Sequence, residues 1–485
     1  MGIAFVPIYI RYLGVEAWGL VGFMAMLQAW LTLLDMGLTP SLTREMARYQ
    51  AGAHSIQGIR DLLWSLQVIY GGIAIGVVFL VWFAAPWLAQ HWLSAEHLPI
   101  VTITDAVKVV GIVLAMRMLE QVYRGAIQGL QHMVWLNGIQ AVLATLRWAG
   151  AAAVLIWLET SISAFFLWQG LVSVISVLIL ARQANRYLPK ASRPARFDWE
   201  AIIAIRNFAG GIAATFVLSR VLVQFDKLLL STFLSLHMFG VYMLAVTVAD
   251  ALYILVTPVT TAASPKLTEL VTRTDQSAII GTYHHMSQLV ALLLVPPAVV
   301  MVVFAESLLW VWTGDLALAR EAAPLLSLLA LGTLCNGFVQ MPTLAQHAHG
   351  WTSLGVRLNS IAFVLLVPTL FWAVPRFGAI AGAWIWLAFA LARLIVSVHF
   401  MHHRILQEEQ WHWYRRAVIS PLTVSFVVVI TMSHTAPALS DRGATALFVC
   451  VAGAMAFLAT LVTTPAPAAF MRSRFSRMKK RSSDD

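Results

Sequence analysis

Several ionisable side chains lie inside long apolar stretches of the sequence, where a charge is costly unless it has a partner or faces water. The deepest positive charges are those of Arg117, Arg147, Arg220 and Arg393, and Lys227 follows Arg220 at helical spacing. A planar guanidinium group can bond two phosphate oxygens at once. An excess of deep arginine therefore predicts a cationic cavity that binds an anion.

The apolar segment around residue 117 supports this interpretation. The polar residues of this segment lie on one face of a helix. They are Arg117, Glu120, Gln121, Arg124, Gln128 and Gln131. We expect Arg117 to line the cavity, although an ion pair with Glu120 within the helix is the alternative.

Acidic side chains in the apolar stretches are candidates for coupling to a proton or sodium gradient. Asp250 is isolated in its segment and is the first candidate, with a pair to Arg220 as the alternative. Asp35 is the second, since it could instead cap the helix before Pro40 or pair with Arg44. Asp226 and Glu120 complete the acidic set.

Prolines and histidines give two further predictions. Pro258, Pro296 and Pro297 fall inside apolar helical segments, so we expect bends or hinges there. His402 and His403 stand at the end of a segment beside Arg404, where an interfacial pair is favoured over metal ligation. We therefore expect no metal site and no cofactor other than the coupling ion.

Membrane-spanning helices must position all of these residues. The chain of 485 residues is 60% hydrophobic and 11% charged, against about a quarter charged in soluble domains. Stretches such as 62–95, 276–305 and 322–356 contain no charged residue, and about 20 residues suffice to cross a bilayer. A backbone exposed to lipid must satisfy its own hydrogen bonds, so the sequence predicts an all-α polytopic membrane protein.

The apolar pattern divides the chain into about 14 transmembrane helices. The predicted spans are 1–11, 17–40, 62–86, 103–128, 133–157, 160–181, 204–229, 238–262, 280–304, 322–347, 353–374, 378–401, 417–436 and 443–463. They form a first six-helix bundle at 1–182, a cytoplasmic linker at 183–203, a second bundle at 204–403, and two more helices with a basic tail at 404–485. The first span is short, so we expect a truncated first helix or an incorrectly assigned start.

The net charge of +10 reflects topology rather than nucleic-acid binding. Lysine and arginine concentrate in alternate connections and in the tail, which places both termini in the cytoplasm by the positive-inside rule. Cys335 and Cys450 both lie in apolar segments, so no disulfide framework is expected.

Four stretches carry a resemblance to a known family. They are VPIYIRYLGVEAWGLVGF at 6–23, LLDMGLTPSLTREMARY at 33–49, SRVLVQFDKLLLSTFLS at 219–235 and FGVYMLAVTVADALYILVTPVTTAASPKL at 239–267. The chain resembles the polysaccharide or O-antigen (Wzx-like) flippases of the multidrug/oligosaccharidyl-lipid/polysaccharide (MOP) exporter superfamily. The matched positions are Asp35, Arg44, Arg220, Asp226, Lys227, Pro258 and Lys266.

The resemblance implies a two-bundle transporter with alternating access, driven by a proton or cation gradient. The implied cargo is an undecaprenyl-diphosphate-linked oligosaccharide used in polysaccharide biosynthesis, and other polysaccharide-assembly membrane proteins are the implied partners. A cationic central cavity receives the diphosphate in such proteins, in agreement with the deep arginines.

Three other classes of function are less consistent with the residues. A drug or cation exporter of the same superfamily would prefer an acidic cavity. A sugar polymerase or ligase would need a sizeable external loop, and the sequence contains no P-loop, HExxH, GxSxG or CxxC motif. A structural scaffold would not explain polar stripes on several helices. We therefore expect a transporter and not an enzyme.

Overall fold

The computed structural model describes residues 2–435 and 441–464, with the side chains of residues 207–223 excepted. Helices dominate these residues, which include no β-strand. Eleven of the described helices are long and apolar enough to cross a membrane. The predicted spans at 1–11, 103–128 and 204–229 match three further helices. The predicted all-α polytopic architecture is confirmed.

The chain divides into two compact units, Met1–Gly240 and Val241–Asp485. Unit 1 contains α1 Gly2–Leu13, α2 Val15–Leu31, α3 Leu38–Gln50, α4 Ile56–Trp87, α5 Ile100–Gly129, α6 Met133–Trp157, α7 Ile162–Tyr187 and α8 Trp199–Phe233. Helix α5 packs against α3, α4 and α7, and so lies at the centre of this unit. The predicted bundle boundaries at residues 182, 204 and 404 stay predictions.

Unit 2 begins within the first turns of α9. Its helices are α9 Leu236–Thr272, α10 Gln276–Val303, α11 Ala305–Thr313, α12 Leu316–Ala348, α13 Ser353–Phe377, α14 Ala379–Arg404, α15 Gln410–Trp413, α16 Ser420–Ser433 and α17 Arg442–Thr463. Helix α12 packs against α10, α11 and α14, while α10 also contacts α16 and α17. The last two helices therefore belong to the core of this unit.

The second predicted span, 17–40, is present as Val15–Asp35 and ends earlier than predicted. Helix α2 ends at Leu31, a short 3₁₀ segment follows over Thr32–Asp35, and α3 begins at Leu38. Met36 (φ 45°) and Gly37 (φ 73°) adopt left-handed backbone conformations between them, which end the α-helix because consecutive left-handed residues cannot continue a right-handed one. The apolar pattern continues through the break and so conceals it.

The predicted linker is shorter than expected and lies against α4. Helix α7 extends to Tyr187 and α8 begins at Trp199. The Asp61 carboxylate accepts the backbone N–H of Arg196 (2.8 Å) and an Arg193 guanidinium N–H (3.0 Å). These bonds order the linker at the N-terminal end of α4.

The surface of both units carries large apolar side chains that a soluble protein would bury. Phe83 on α4 is 76% exposed and Val364 on α13 is 68% exposed. A soluble protein limits such apolar patches, whereas lipid solvates them. The exposed faces of α4 and α13 are therefore suited to lipid contact.

Candidate functional site

Arg117 of α5 lies at the centre of a polar network inside unit 1. Its guanidinium donates one N–H to the Gln28 side chain of α2 and another to Gln169 Oε1 of α7, at 3.3 Å. Gln169 is fully buried. The two amides fix the plane of the guanidinium group, because each accepts from a different nitrogen of the rigid fork.

Glu120, one turn further along α5, binds two side chains of α6. Its carboxylate accepts an N–H from Arg147 Nη2 at 3.4 Å and one from Gln140 Nε2 at 3.3 Å. The side chains of Glu120 and Arg147 are 5% and 15% exposed. Arg147 and Glu120 also lie close enough to Arg117 to act on it electrostatically. Arg117 and Arg147 therefore lie in one polar cluster, in which Glu120 supplies a negative charge.

Two buried donors of this cluster remain open. The Nε atoms of Arg117 and Arg147 find no hydrogen-bond acceptor among the described residues. A buried donor without a partner costs about 1–3 kcal/mol, and two guanidinium groups against one carboxylate leave a net positive charge. Such a cluster can accept an anionic group whose oxygens satisfy the remaining N–H groups.

Asp35 lies at the break between α2 and α3. Its carboxylate accepts the Thr39 backbone N–H at 3.3 Å, and hydrogen bonds from the Thr39 and Tyr70 hydroxyls also reach it. The contacts of Asp35 therefore match the alternative in which it caps the following helix. Arg44, the other predicted partner, forms an ion pair with Glu45. Tyr70 of α4 ties the break to the neighbouring helix.

The third group of predicted residues in unit 1 lies on α8. Lys227 Nζ and Asp226 Oδ1 form an ion pair at 3.5 Å, and both side chains are largely buried. Arg220 lies outside the residues whose side chains the structure describes.

Unit 2 contains a sparser cluster around Arg393 of α14. Its guanidinium donates to Asn336 Oδ1 of α12 at 3.4 Å. Arg393 and Asp250 both act electrostatically on Tyr253 of α9, and Arg393 acts on His347 of α12. Both predicted charges therefore lie near Tyr253, a residue that the sequence prediction missed.

Arg393 also borders a cavity of about 340 Å³ between α13 and α14. Apart from Thr369 and Arg393 its lining is apolar, with residues such as Leu365, Phe389 and Ala392. A single cation at the border of an apolar cavity suits an amphiphilic ligand, because the charge fixes the polar end and the lining receives the hydrocarbon.

The three predicted bend points lie inside continuous helices. Pro258 is in α9, together with Pro265, and Pro296 and Pro297 are in α10. Their role as hinges stays a prediction. Gln169, the main residue missed in unit 1, is a polar residue of the predicted sixth span, and this position was its only signal in the sequence.

The arrangement of helices is similar to that of solved membrane transporters. The fold is similar to the lipid II flippase MurJ in an inward closed conformation, with a TM-score of 0.71, 10% identity, and coverage of 97% of this chain and 98% of that one. It is also similar to an inward-facing multidrug resistance MATE transporter, with a TM-score of 0.70, 15% identity, and coverage of 82% and 93%. The protein is a multi-pass membrane protein with a transporter fold.

Residues 1–271 match the polysaccharide biosynthesis protein family, and the chain belongs to that family. A Shigella flexneri protein described as an O-antigen transporter is 21% identical over 376 residues, which are 78% of this chain and 87% of that protein. The predicted resemblance to polysaccharide flippases of the MOP superfamily is thereby confirmed.

Proposed function

We propose that this protein flips an undecaprenyl-diphosphate-linked oligosaccharide across the membrane by alternating access. The observation that carries the proposal is the pair of buried arginines in unit 1. Arg147 is paired with the Glu120 carboxylate, Arg117 lies near this pair, and the Nε donors of both arginines have no acceptor among the described residues. A diphosphate supplies both the missing acceptors and the missing negative charge.

The names of the relatives fit this class of cargo. One is described as an O-antigen transporter and another as a lipid II flippase. In this proposal the diphosphate docks on the arginines while the prenyl chain stays in an apolar environment. The cavity beside Arg393 in unit 2 and the cation Lys227 in unit 1 are further candidate sites of the proposal. Arg220 stays a candidate from the sequence, since its side chain lies outside the described residues.

A proton or sodium gradient drives the cycle in this proposal. Asp250 is the first coupling candidate because it lies in the same electrostatic cluster as Arg393, and Asp35 is the second. Glu120 and Asp226 already face Arg147 and Lys227, so their carboxylates compensate cations. Pro258, Pro296 and Pro297 serve as bend points while the bundles at 1–182 and 204–403 rock.

The proposed setting is the bacterial cytoplasmic membrane, with both termini in the cytoplasm. The distribution of lysine and arginine supports this orientation. Other polysaccharide-assembly membrane proteins would be the partners, since they consume the flipped oligosaccharide.

A flipping assay in proteoliposomes tests the proposal. The vesicles contain a polyprenyl-diphosphate oligosaccharide, and its exposure to a membrane-impermeant glycosidase is followed with and without a pH gradient. We expect protein-dependent exposure that falls about 10- to 100-fold in Arg117→Ala and Arg147→Ala, since each loses charge-assisted hydrogen bonds worth about 1.5–3 kcal/mol. Arg124→Ala is the matched control, because Arg124 is an exposed arginine two turns along the same helix.

The second candidate is a drug or cation exporter, which the MATE-like fold favours. Extrusion of a cationic dye without exposure of the oligosaccharide would establish that function and overturn the first proposal. The two guanidinium groups against one carboxylate in unit 1 oppose it, because a cation gains nothing from a net positive cavity.

A further inference from the structure

Two histidines and a glutamate meet in unit 2, away from both polar clusters described above. His284 lies in the third turn of α10, Glu409 directly precedes α15, and His412 is in α15. The segment between α14 and α15 is held near α10 by a hydrogen bond from Gln276 Nε2 to the Ile405 carbonyl at 3.4 Å. Side chains more than 120 residues apart are thus brought together at one end of the unit.

The ligand atoms of the three side chains all lie within 4.8 Å of one another. His284 Nε2 is 2.7 Å from Glu409 Oε2, and the two imidazole rings meet edge to face with centroids 4.8 Å apart. Zinc binds imidazole nitrogen and carboxylate oxygen at about 2.0–2.2 Å, so ligand atoms of a tetrahedral site are about 3.4 Å apart. The separations of 2.7 to 4.8 Å in the present cluster bracket this distance.

The burial of His284 points to a ligand as well. This residue is only 9% exposed, and its Nδ1 finds no partner among the described residues. Ser287 Oγ, one turn further along α10, is buried beside Tyr283. A histidine that binds metal through one nitrogen needs an acceptor for the N–H of the other, and a rotated Ser287 hydroxyl on the same helix face can supply it.

From these observations we propose that His284, Glu409 and His412 form a site for a divalent transition metal of the zinc type. Two imidazoles and one carboxylate are a donor set that zinc prefers over magnesium or calcium. The ion would link α10 to the segment that leads into α16 and α17, both of which pack against α10. The bound ion would stabilise the packing of α16 and α17 against α10. This structural role does not depend on the cargo proposed above.

The neighbouring histidines differ in their contacts. His402 is buried and bonded at both ring nitrogens, to the Val398 carbonyl at 2.9 Å and to the Tyr283 hydroxyl at 3.3 Å. His403 is exposed. The adjacent pair His402 and His403 therefore contributes no ligand to the cluster, in which His284 and Glu409 are 125 residues apart.

Metal titration of the full-length protein tests the proposal. The protein is purified in detergent with a tag that contains no histidine, stripped with a chelator, and titrated with Co²⁺, whose visible ligand-field absorption reports tetrahedral nitrogen and oxygen coordination. We expect saturable, stoichiometric binding that Zn²⁺ displaces. In His412→Ala and Glu409→Gln the affinity should fall at least about 100-fold, since each removes a direct ligand.

His403→Ala is the control and should bind Co²⁺ as the unmodified chain does. Size-exclusion profiles establish that each variant is folded before its titration is interpreted. The proposal is overturned if folded, stripped protein binds no stoichiometric Co²⁺ or Zn²⁺, or if binding survives both ligand substitutions unchanged.

Discussion

The buried arginines of the two units are held in different ways. In unit 1, Arg117 donates hydrogen bonds to side chains of α2 and α7. Arg147 is paired with the Glu120 carboxylate of α5. In unit 2, the described hydrogen bond of Arg393 is one contact of 3.4 Å to Asn336, and the guanidinium borders an apolar cavity. The first arrangement fixes the directions of the donors, whereas the second leaves the side chain free to adjust.

This difference suggests a division of labour. A fixed pair of guanidinium groups selects the geometry of a diphosphate, because bidentate recognition depends on the planar fork. A loosely held arginine beside an apolar cavity accepts a charged group without demanding one geometry. The following substitutions test that contrast, beginning with the largest expected effect.

Glu120→Ala should destabilise the protein strongly, while Asn336→Ala should not. Removing Glu120 leaves the Arg147 guanidinium buried without its counter-charge, which costs about 3 kcal/mol or more. Removing Asn336 loses one long hydrogen bond worth about 1 kcal/mol. Denaturant unfolding in detergent, followed by circular dichroism, measures both. Equal losses in the two variants would remove the proposed contrast in rigidity.

Arginine-to-lysine substitutions should separate the two sites in the flipping assay. Arg117→Lys keeps the charge but cannot donate to Gln28 and Gln169 as a rigid fork, so we expect flipping to fall about tenfold. Arg393→Lys should fall no more than about threefold, because a point charge can replace a single loose contact. The opposite ranking would assign the diphosphate to unit 2.

The sequence predicted these clusters unevenly. Helical spacing placed Arg117 and Glu120 on one face of α5, because the 3.6-residue period is a local property. The partnership of Glu120 with Arg147, rather than with Arg117, depends on how α6 packs against α5, which no local pattern encodes. The break at Met36 and Gly37 was missed because the apolar residues on both sides continue the pattern. His284 and Glu409 meet only through tertiary contacts.

Filling the cavity of unit 2 should impair flipping while leaving Arg393 in place. Ala392→Trp places a bulky ring in the apolar lining between α13 and α14. If a prenyl segment occupies this space, losing about 1 kcal/mol of apolar contact lowers flipping about fivefold. Leu391→Trp, at an exposed neighbouring position of the same helix, is the matched control. Equal activity of the two variants would show that the cargo does not use the cavity.

Matched carboxylate substitutions test which unit couples transport to the ion gradient. Asp250 lies in the electrostatic cluster of Arg393, whereas the Asp35 carboxylate is occupied by hydrogen bonds from Thr39 and Tyr70 at a helix break. A pH gradient of one unit is worth at most about 1.4 kcal/mol per proton, so the effect is the smallest of the series. We expect Asp250→Asn to lose the stimulation by the gradient, about threefold, while flipping without a gradient continues.

Asp35→Asn should keep gradient-dependent flipping, because an amide oxygen can still accept the backbone N–H of Thr39 at the start of α3. Initial flipping rates measured at several imposed pH gradients, with equal protein per vesicle, distinguish the variants. Full gradient dependence in Asp250→Asn would remove coupling from unit 2. If Asp35→Asn lost it instead, the rigid unit would contain both the anion site and the coupling carboxylate, and the division of labour between the units would fail.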